Sequence, residues 1–128
     1  MSLTVVIADD DADIRRLVTI SATRAGLDIV AEVADGDVAM EYIRQFIPDL
    51  AILDVSMPGR SGIEICELVR ADPLLIGVRI LLLSASAGES SIAAGLAAGA
   101  ADYLPKPFSP RELAARLAAL SATIEQGA

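Results

Sequence analysis

Two stretches of this sequence set carboxylates against apolar runs. "VVIADDDAD" (5–13) carries four apolar residues into Asp9, Asp10 and Asp11, and "LAILDVSMPGRSG" (50–62) carries four into Asp54 before a turn at Pro58-Gly59. A carboxylate at the end of a buried strand is costly unless something pairs with it. Carboxylates that meet offer oxygen ligands to a hard cation, and one of them can act as a nucleophile. Other chemistries are closed. The 128 residues include no histidine, which excludes a Ser-His-Asp site, a His-metal site and an internal phosphohistidine. Cys66 is the one cysteine, so no internal disulfide forms and a reducing, cytoplasmic compartment fits. It reads as a small apolar residue on a helix. An oxygen-ligated metal is therefore the sensible candidate.

These groups need elements to position them, and the length suits a single domain with one core. The chain is 54% hydrophobic but only 3% aromatic, so Val, Ile, Leu and Ala must build that core. A net charge of −8 argues against nucleic acid or an anionic membrane as a direct partner of this chain, since both call for a basic footprint. No basic segment precedes the first apolar run, so no signal peptide is read there. The longest small-apolar run, 92–101, is too short to span a bilayer.

Along the chain, strand-like runs alternate with helical patterns. Strands are expected at 3–8, 28–34, 50–54, 78–84 and 101–104, and helices at about 13–25, 37–46, 63–71, 89–98 and from 110 onward. The first helix places Ile14, Leu17, Val18 and Ala25 on one face, with Gly26 as its cap. The second turns Val38, Ala39, Tyr42, Ile43 and Phe46 inward after an Asp35-Gly36 turn. The last begins with Ser109-Pro110-Arg111-Glu112, an N-cap, a first-turn proline and a capping-box glutamate. Leu113, Leu117, Leu120 and Ile124 continue its buried stripe. Five such units predict an α/β fold, a five-stranded parallel sheet with helices on both faces. Residues 1–124 form the domain and 125–128 a tail.

In an open parallel sheet, sites form beyond the carboxyl ends of the strands where the winding reverses. The common order 2-1-3-4-5 puts that point between strands one and three, which end in Asp9-Asp10 and Asp54. Clustered acids raise one another's pKa unless a cation neutralises them, and carboxylates plus waters suit Mg²⁺. Strand four ends at Ser84, a hydroxyl donor. Strand five is followed by Lys106, an ammonium suited to a phosphoryl group. Together these residues equip the edge for phosphoryl transfer to Asp54.

With these motifs the chain resembles the receiver domain of two-component response regulators, over essentially its whole length. The matching segments are "VVIADDDADIRR", "ILDVSMPGRSG", "LLLSAS" and "ADYLPKPF", in order and each at a strand end. The resemblance implies a flavodoxin-like receiver fold in which Asp54 is the phosphoacceptor. It implies that Asp9 and Asp10 hold Mg²⁺, Asp10 directly and Asp9 partly through water, with Asp54 and the Ser56 backbone carbonyl completing the protein ligands. Ser84 takes the switch hydroxyl position, where threonine is more usual, and Tyr103 the aromatic switch position. Lys106 takes the phosphate-binding lysine position, and Lys106-Pro107 resembles the family's cis peptide. Ser56 and Ser86 stand where the family tunes the lifetime of the phosphoryl group. Asp11 or Asp13 is left to cap the first helix.

The donor implied is a phosphohistidine on a sensor kinase or phosphotransfer protein, external because this chain has no histidine. The domain is not an enzyme in its own right; it assists its own phosphorylation and dephosphorylation. Helix four, "ESSIAAGLAAGAAD", has little bulk and an internal Gly95 that costs about 1 kcal/mol against alanine, which suits a moving part. Helix four, strand five and helix five then present a weakly charged face to an output partner or to a second copy as a homodimer.

Three rivals make different predictions. A haloacid-dehalogenase-type phosphatase would use Asp9 in a D-x-D motif, but Asp13 stands where Thr or Val belongs, and a later acidic pair and a cap domain are missing. A flavodoxin-like FMN carrier wants Ser, Thr and Gly in the first loop, where three aspartates would repel phosphate. A receiver reduced to docking would not need every acid, the hydroxyl and the lysine.

Overall fold

The structure is a computed structural model and describes residues 2–127. The strands are β1 (Thr4–Ala8), β2 (Asp28–Val33), β3 (Leu50–Asp54), β4 (Arg79–Ser84) and β5 (Asp102–Pro105). The helices are α1 (Ala12–Arg24), α2 (Gly36–Phe46), α3 (Gly62–Ala71), α4 (Glu89–Ala97) and α5 (Pro110–Gly127), with a single 3-10 turn at Pro73–Leu75. The strands form one sheet in the order β2-β1-β3-β4-β5, and every pairing is parallel.

Side chains alternate across a strand, so each central strand feeds two cores. Val5, Ile7, Leu50, Ile52, Leu81 and Leu83 meet Val18 and Ala22 of α1 and Leu113 and Leu117 of α5. Val6, Ala8, Ala51, Leu53 and Leu82 meet Met40, Ile43, Ile65 and Val69 of α2 and α3, with Tyr103. β3, covered on both faces, is buried at every position, including Asp54. β2 lies at one edge and is largely half-exposed. β5 lies at the other edge, where Pro105 leaves no inner ladder bond unmade.

Several helix details differ from expectation. Asp35 does not form a free turn with Gly36. Its Oδ1 accepts from the Asp37 and Val38 amides at 2.7 and 3.1 Å, capping α2, which starts at Gly36. The buried stripe of α2 is Ala39, Met40 and Ile43. Val38 and Phe46 are 38% and 43% exposed rather than inward; the Phe46 ring stacks on Tyr42 at 5.8 Å. Ala25 is exposed too. It caps α1 as the chain enters Gly26 at φ +84°, so Ala22 takes the buried place. α2 ends through Ile47 at φ 45°, a left-handed cap tied back to the Ile43 carbonyl. α5 runs past the expected boundary at 124 through Gly127; Ala128 lies outside the described residues.

Candidate functional site

β1 hands the chain to Asp9, fully buried, whose amide still bonds to Val33 of β2. Asp9 Oδ1 accepts from the Asp11 amide at 2.9 Å, and Arg15 Nη1 donates to the Asp9 carbonyl at 2.7 Å. Asp11 in turn caps α1 through the Asp13 and Ile14 amides. The "DDDAD" run therefore divides its labour: Asp11 serves the helix, while Asp9 and Asp10 are left for the site. β3 delivers Asp54, 4% exposed, whose Oδ1 accepts from the Ser56 amide at 3.3 Å. Asp9, Asp10 and Asp54 each offer a carboxylate oxygen within 4.8 Å of the others.

Lys106 reaches this group from beyond β5. Its Nζ lies 2.9 Å from Asp9 Oδ2 and 3.4 Å from Asp54 Oδ2. Its amide donates to the Ser84 carbonyl at 2.7 Å, and Lys106-Pro107 is cis. Ser84 is buried at the end of β4, and its Oγ accepts from the Ser86 amide at 3.1 Å. Tyr103 is also buried. Its Oη donates to the Ser86 carbonyl at 2.8 Å, and Ser86 shares a 2.7 Å hydroxyl contact with Ser91 of α4. Tyr103 is thus tied to the loop between Ser84 and α4 rather than merely packed.

Charge in this cluster is unbalanced. Burial, then the neighbouring Asp9, pushes the Asp54 carboxyl up from 3.8 to about 6, although Lys106 and the Ser56 amide pull the other way. Burial alone would lower the Lys106 ammonium, but Asp9 and Asp54 outweigh it and the net shift is upward. Asp9 Oδ2 is buried and, beyond its ion-pair contact, accepts no hydrogen bond. Three clustered acids with one lysine beside two of them have the donor set and the charge deficit that a divalent cation satisfies. Cys66 takes no part. Burial pushes its thiol up to about 12, so it stays unreactive.

Other positioning residues carry only weak sequence signals. A Cβ on Gly62 would sit 2.7 Å from the Asp54 carbonyl oxygen, so only glycine lets α3 begin against the end of β3. Gly95 is buried in α4, where a Cβ would meet the Tyr103 ring at 2.8 Å. The glycine that reads as looseness in a helix is also a packing slot. Ser61 and Glu64 form a capping box on α3, a signal present in the sequence as S-x-x-E. Arg15 has no local signature; its partner is a main-chain carbonyl.

The response regulator receiver domain family matches residues 5–118. The DNA-binding response regulator MtrA of Mycobacterium tuberculosis is 40% identical over 115 residues, covering 90% of this chain and 49% of that protein. The phosphate regulon transcriptional regulatory protein PhoB of Pseudomonas aeruginosa is 40% identical over 117 residues, covering 91% of this chain and 51% of its own. The chain spans about half the length of these curated relatives. Among solved structures, the chemotaxis response regulator CheY4 of Vibrio cholerae superposes with a TM-score of 0.86 at 30% identity, covering 94% of this chain and 99% of that one. The BeF3-activated N-terminal receiver domain of Klebsiella pneumoniae RstA gives 0.79 at 31%, covering 91% and 96%. This chain belongs to the response regulator receiver domain family, the two-component signalling domains that are phosphorylated on an aspartate. The phosphatase and flavin-carrier readings fall away with that membership. Among the described residues, no helix is long and apolar enough to cross a membrane.

Proposed function

We propose that Asp54 is the phosphoacceptor of this receiver and that Asp9, Asp10, Asp54 and the Ser56 carbonyl hold Mg²⁺. The observation that carries the reading is the reach of Lys106 to both Asp9 and Asp54, which joins the ends of three strands at one point. An ionised Asp54 oxygen attacks phosphorus, the P–N bond of an external phosphohistidine breaks, and the departing imidazole nitrogen keeps the electron pair. Mg²⁺, when bound, supplies positive charge to offset the clustered acids and the phosphoryl oxygens. Lys106 faces the same oxygens as a point charge. Ser84 offers a hydroxyl to them, and Tyr103, bonded to the Ser86 carbonyl, couples that loop to α4.

Phosphorylation biases β4, α4 and β5 between two arrangements by adding charge that Ser84 and Lys106 can approach. The face of α4, β5 and α5 is the output surface, open to a partner or to a second copy. The curated relatives are named as DNA-binding or transcriptional regulators, which makes a DNA-binding module the output in chains of their length. Hydrolysis of the acyl phosphate, with Ser56 and Ser86 beside the site, resets the domain.

The test is mass spectrometry after incubation with acetyl phosphate and Mg²⁺. Wild type gains one phosphoryl group, mapped to Asp54, and Asp54→Ala gains none. Equal labelling of both proteins, or labelling at Asp9, overturns the assignment. Sedimentation with and without beryllofluoride reads the homodimer; unchanged association excludes it.

A further inference from the structure

The loop that carries the chain from β3 into α3, residues 55–61, is seated on the start of α2. The Gly36 amide donates to the Pro58 carbonyl at 2.8 Å. A Cβ on Gly36 would lie 1.7 Å from the Arg60 carbonyl oxygen and under 3.0 Å from its carbonyl carbon and nitrogen. These are main-chain atoms, so no side-chain rotation relieves the overlap. Gly59, at φ +76°, brings the position of its missing Cβ within 2.8 Å of Asp35 Oδ1 and 2.9 Å of Asp37 Oδ2. Arg60 Nη1 closes the contact on Asp37 Oδ1 at 2.9 Å. At the other end, the Gly62 amide donates to the Val55 carbonyl at 3.1 Å. The loop is therefore closed at its base, where the Val55 amide also donates to the Leu83 carbonyl of β4 at 2.9 Å, and is seated on α2 beyond Ser56.

We propose that Gly36 is a positioning residue for the metal centre: its bare Cα lets the 55–61 loop settle at the depth that aims the Ser56 carbonyl at the cation. The inference rests on the reading that Asp9, Asp10, Asp54 and Ser56 hold Mg²⁺. Mg²⁺ demands short, near-octahedral bonds. A side chain at Gly36 displaces the loop by about 1.7 Å before ordinary contact returns, far more than such a bond tolerates. Asp9 and Asp10 follow β1 and do not belong to the 55–61 loop, so binding weakens rather than vanishes. Asp35, Asp37 and Gly59 act in the same way from their two sides of the contact.

Calorimetric Mg²⁺ titration at pH 8 tests this on wild type, Gly36→Ala, Gly59→Ala and Asp10→Asn. Gly77→Ala, where a Cβ meets open space, is the control. Amide exchange across 58–63 in Mg²⁺-free protein is the second readout. The expected result is a Kd weakened roughly tenfold in Gly36→Ala and a few-fold in Gly59→Ala, faster exchange in the loop of both, and a wild-type Kd in Gly77→Ala. If Gly36→Ala does not fold, Gly59→Ala carries the test. A folded variant with wild-type Mg²⁺ affinity overturns the proposal, even if it has lost thermal stability. Wild type that binds no Mg²⁺, or Asp10→Asn that binds it as wild type does, overturns the metal reading and this one with it.

Discussion

The Lys106 ammonium sits 2.9 Å from the Asp9 carboxylate, although the two residues come from opposite ends of the chain. Both are shielded, with side-chain exposures of 17% and 1%. Breaking a buried pair strands the remaining charge and costs about 3 kcal/mol. Lys106→Met keeps the length and removes the charge, leaving Asp9 and Asp54 to repel each other alone. In EDTA the variant is expected to lose about that much stability by urea denaturation, and saturating Mg²⁺ should narrow the gap. A loss that Mg²⁺ leaves unchanged would mean the acids and the cation do not share a site.

Asp54 makes a pH prediction of definite sign. Its folded pKa of about 6 stands above the ordinary 3.8, so the native state holds this proton more tightly than the unfolded chain does. The contribution is fully present below pH 3.8 and is lost as pH rises through 6. Without metal, Asp54→Asn should therefore be more stable than wild type at pH 8, on the order of 3 kcal/mol, with the advantage gone by about pH 4. Mg²⁺ reverses the order at pH 8, because only wild type keeps the ligand.

Gly95→Ala sets two effects against each other. Alanine gains about 1 kcal/mol of helix propensity. Its Cβ, however, meets Tyr103 at 2.8 Å and Leu82 at 3.1 Å in a closed core, and overpacking costs about 1–3 kcal/mol. The expected net is a modest loss of stability, with Tyr103 pushed outward. Acrylamide quenching of tyrosine fluorescence in a Tyr42→Phe background reads the ring directly. Quenching no greater than in the parent would show that α4 yields instead.

α4 is the one helix of the α1 to α4 set that begins without a side-chain cap. Gly88 occupies its N-cap at φ −68°, ψ 148°, with open space where a Cβ would go. Gly88→Ser supplies the missing acceptor at a backbone geometry that serine adopts. It should stabilise α4 by a few tenths of a kcal/mol, seen as slower amide exchange in the first turn. Tyr103→Phe should do the opposite, losing the bond to the Ser86 carbonyl and about 1 kcal/mol with it. If neither change alters exchange in α4, the loop before it is not what holds that helix.

The order of elements was legible because its causes are local. Runs of four apolar residues ended by Asp or Ser mark β1, β3 and β4, and the Ser109–Glu112 box marks the start of α5. Once parallel strands must lie side by side, the acids at the ends of β1 and β3 are brought to one edge. The helix faces were less legible. α2 buries Met40 beside the expected Ala39 and Ile43 and leaves Val38 and Phe46 exposed, because apolar residues stand on more than one side of it and the sequence does not rank them.

What the sequence determined alone is the set of reactive groups and the strand ends that carry them, since both follow from composition and short-range pattern. Only the tertiary structure decided which atoms meet. Lys106 chooses Asp9 before Asp54, Gly95 makes room for Tyr103, and Gly36 accepts the Arg60 carbonyl. Each is a contact between residues distant in the chain, made where two backbones approach more closely than a Cβ allows or where burial leaves a charge one partner. No local period records such a meeting, because it exists only after the sheet and its helices have packed.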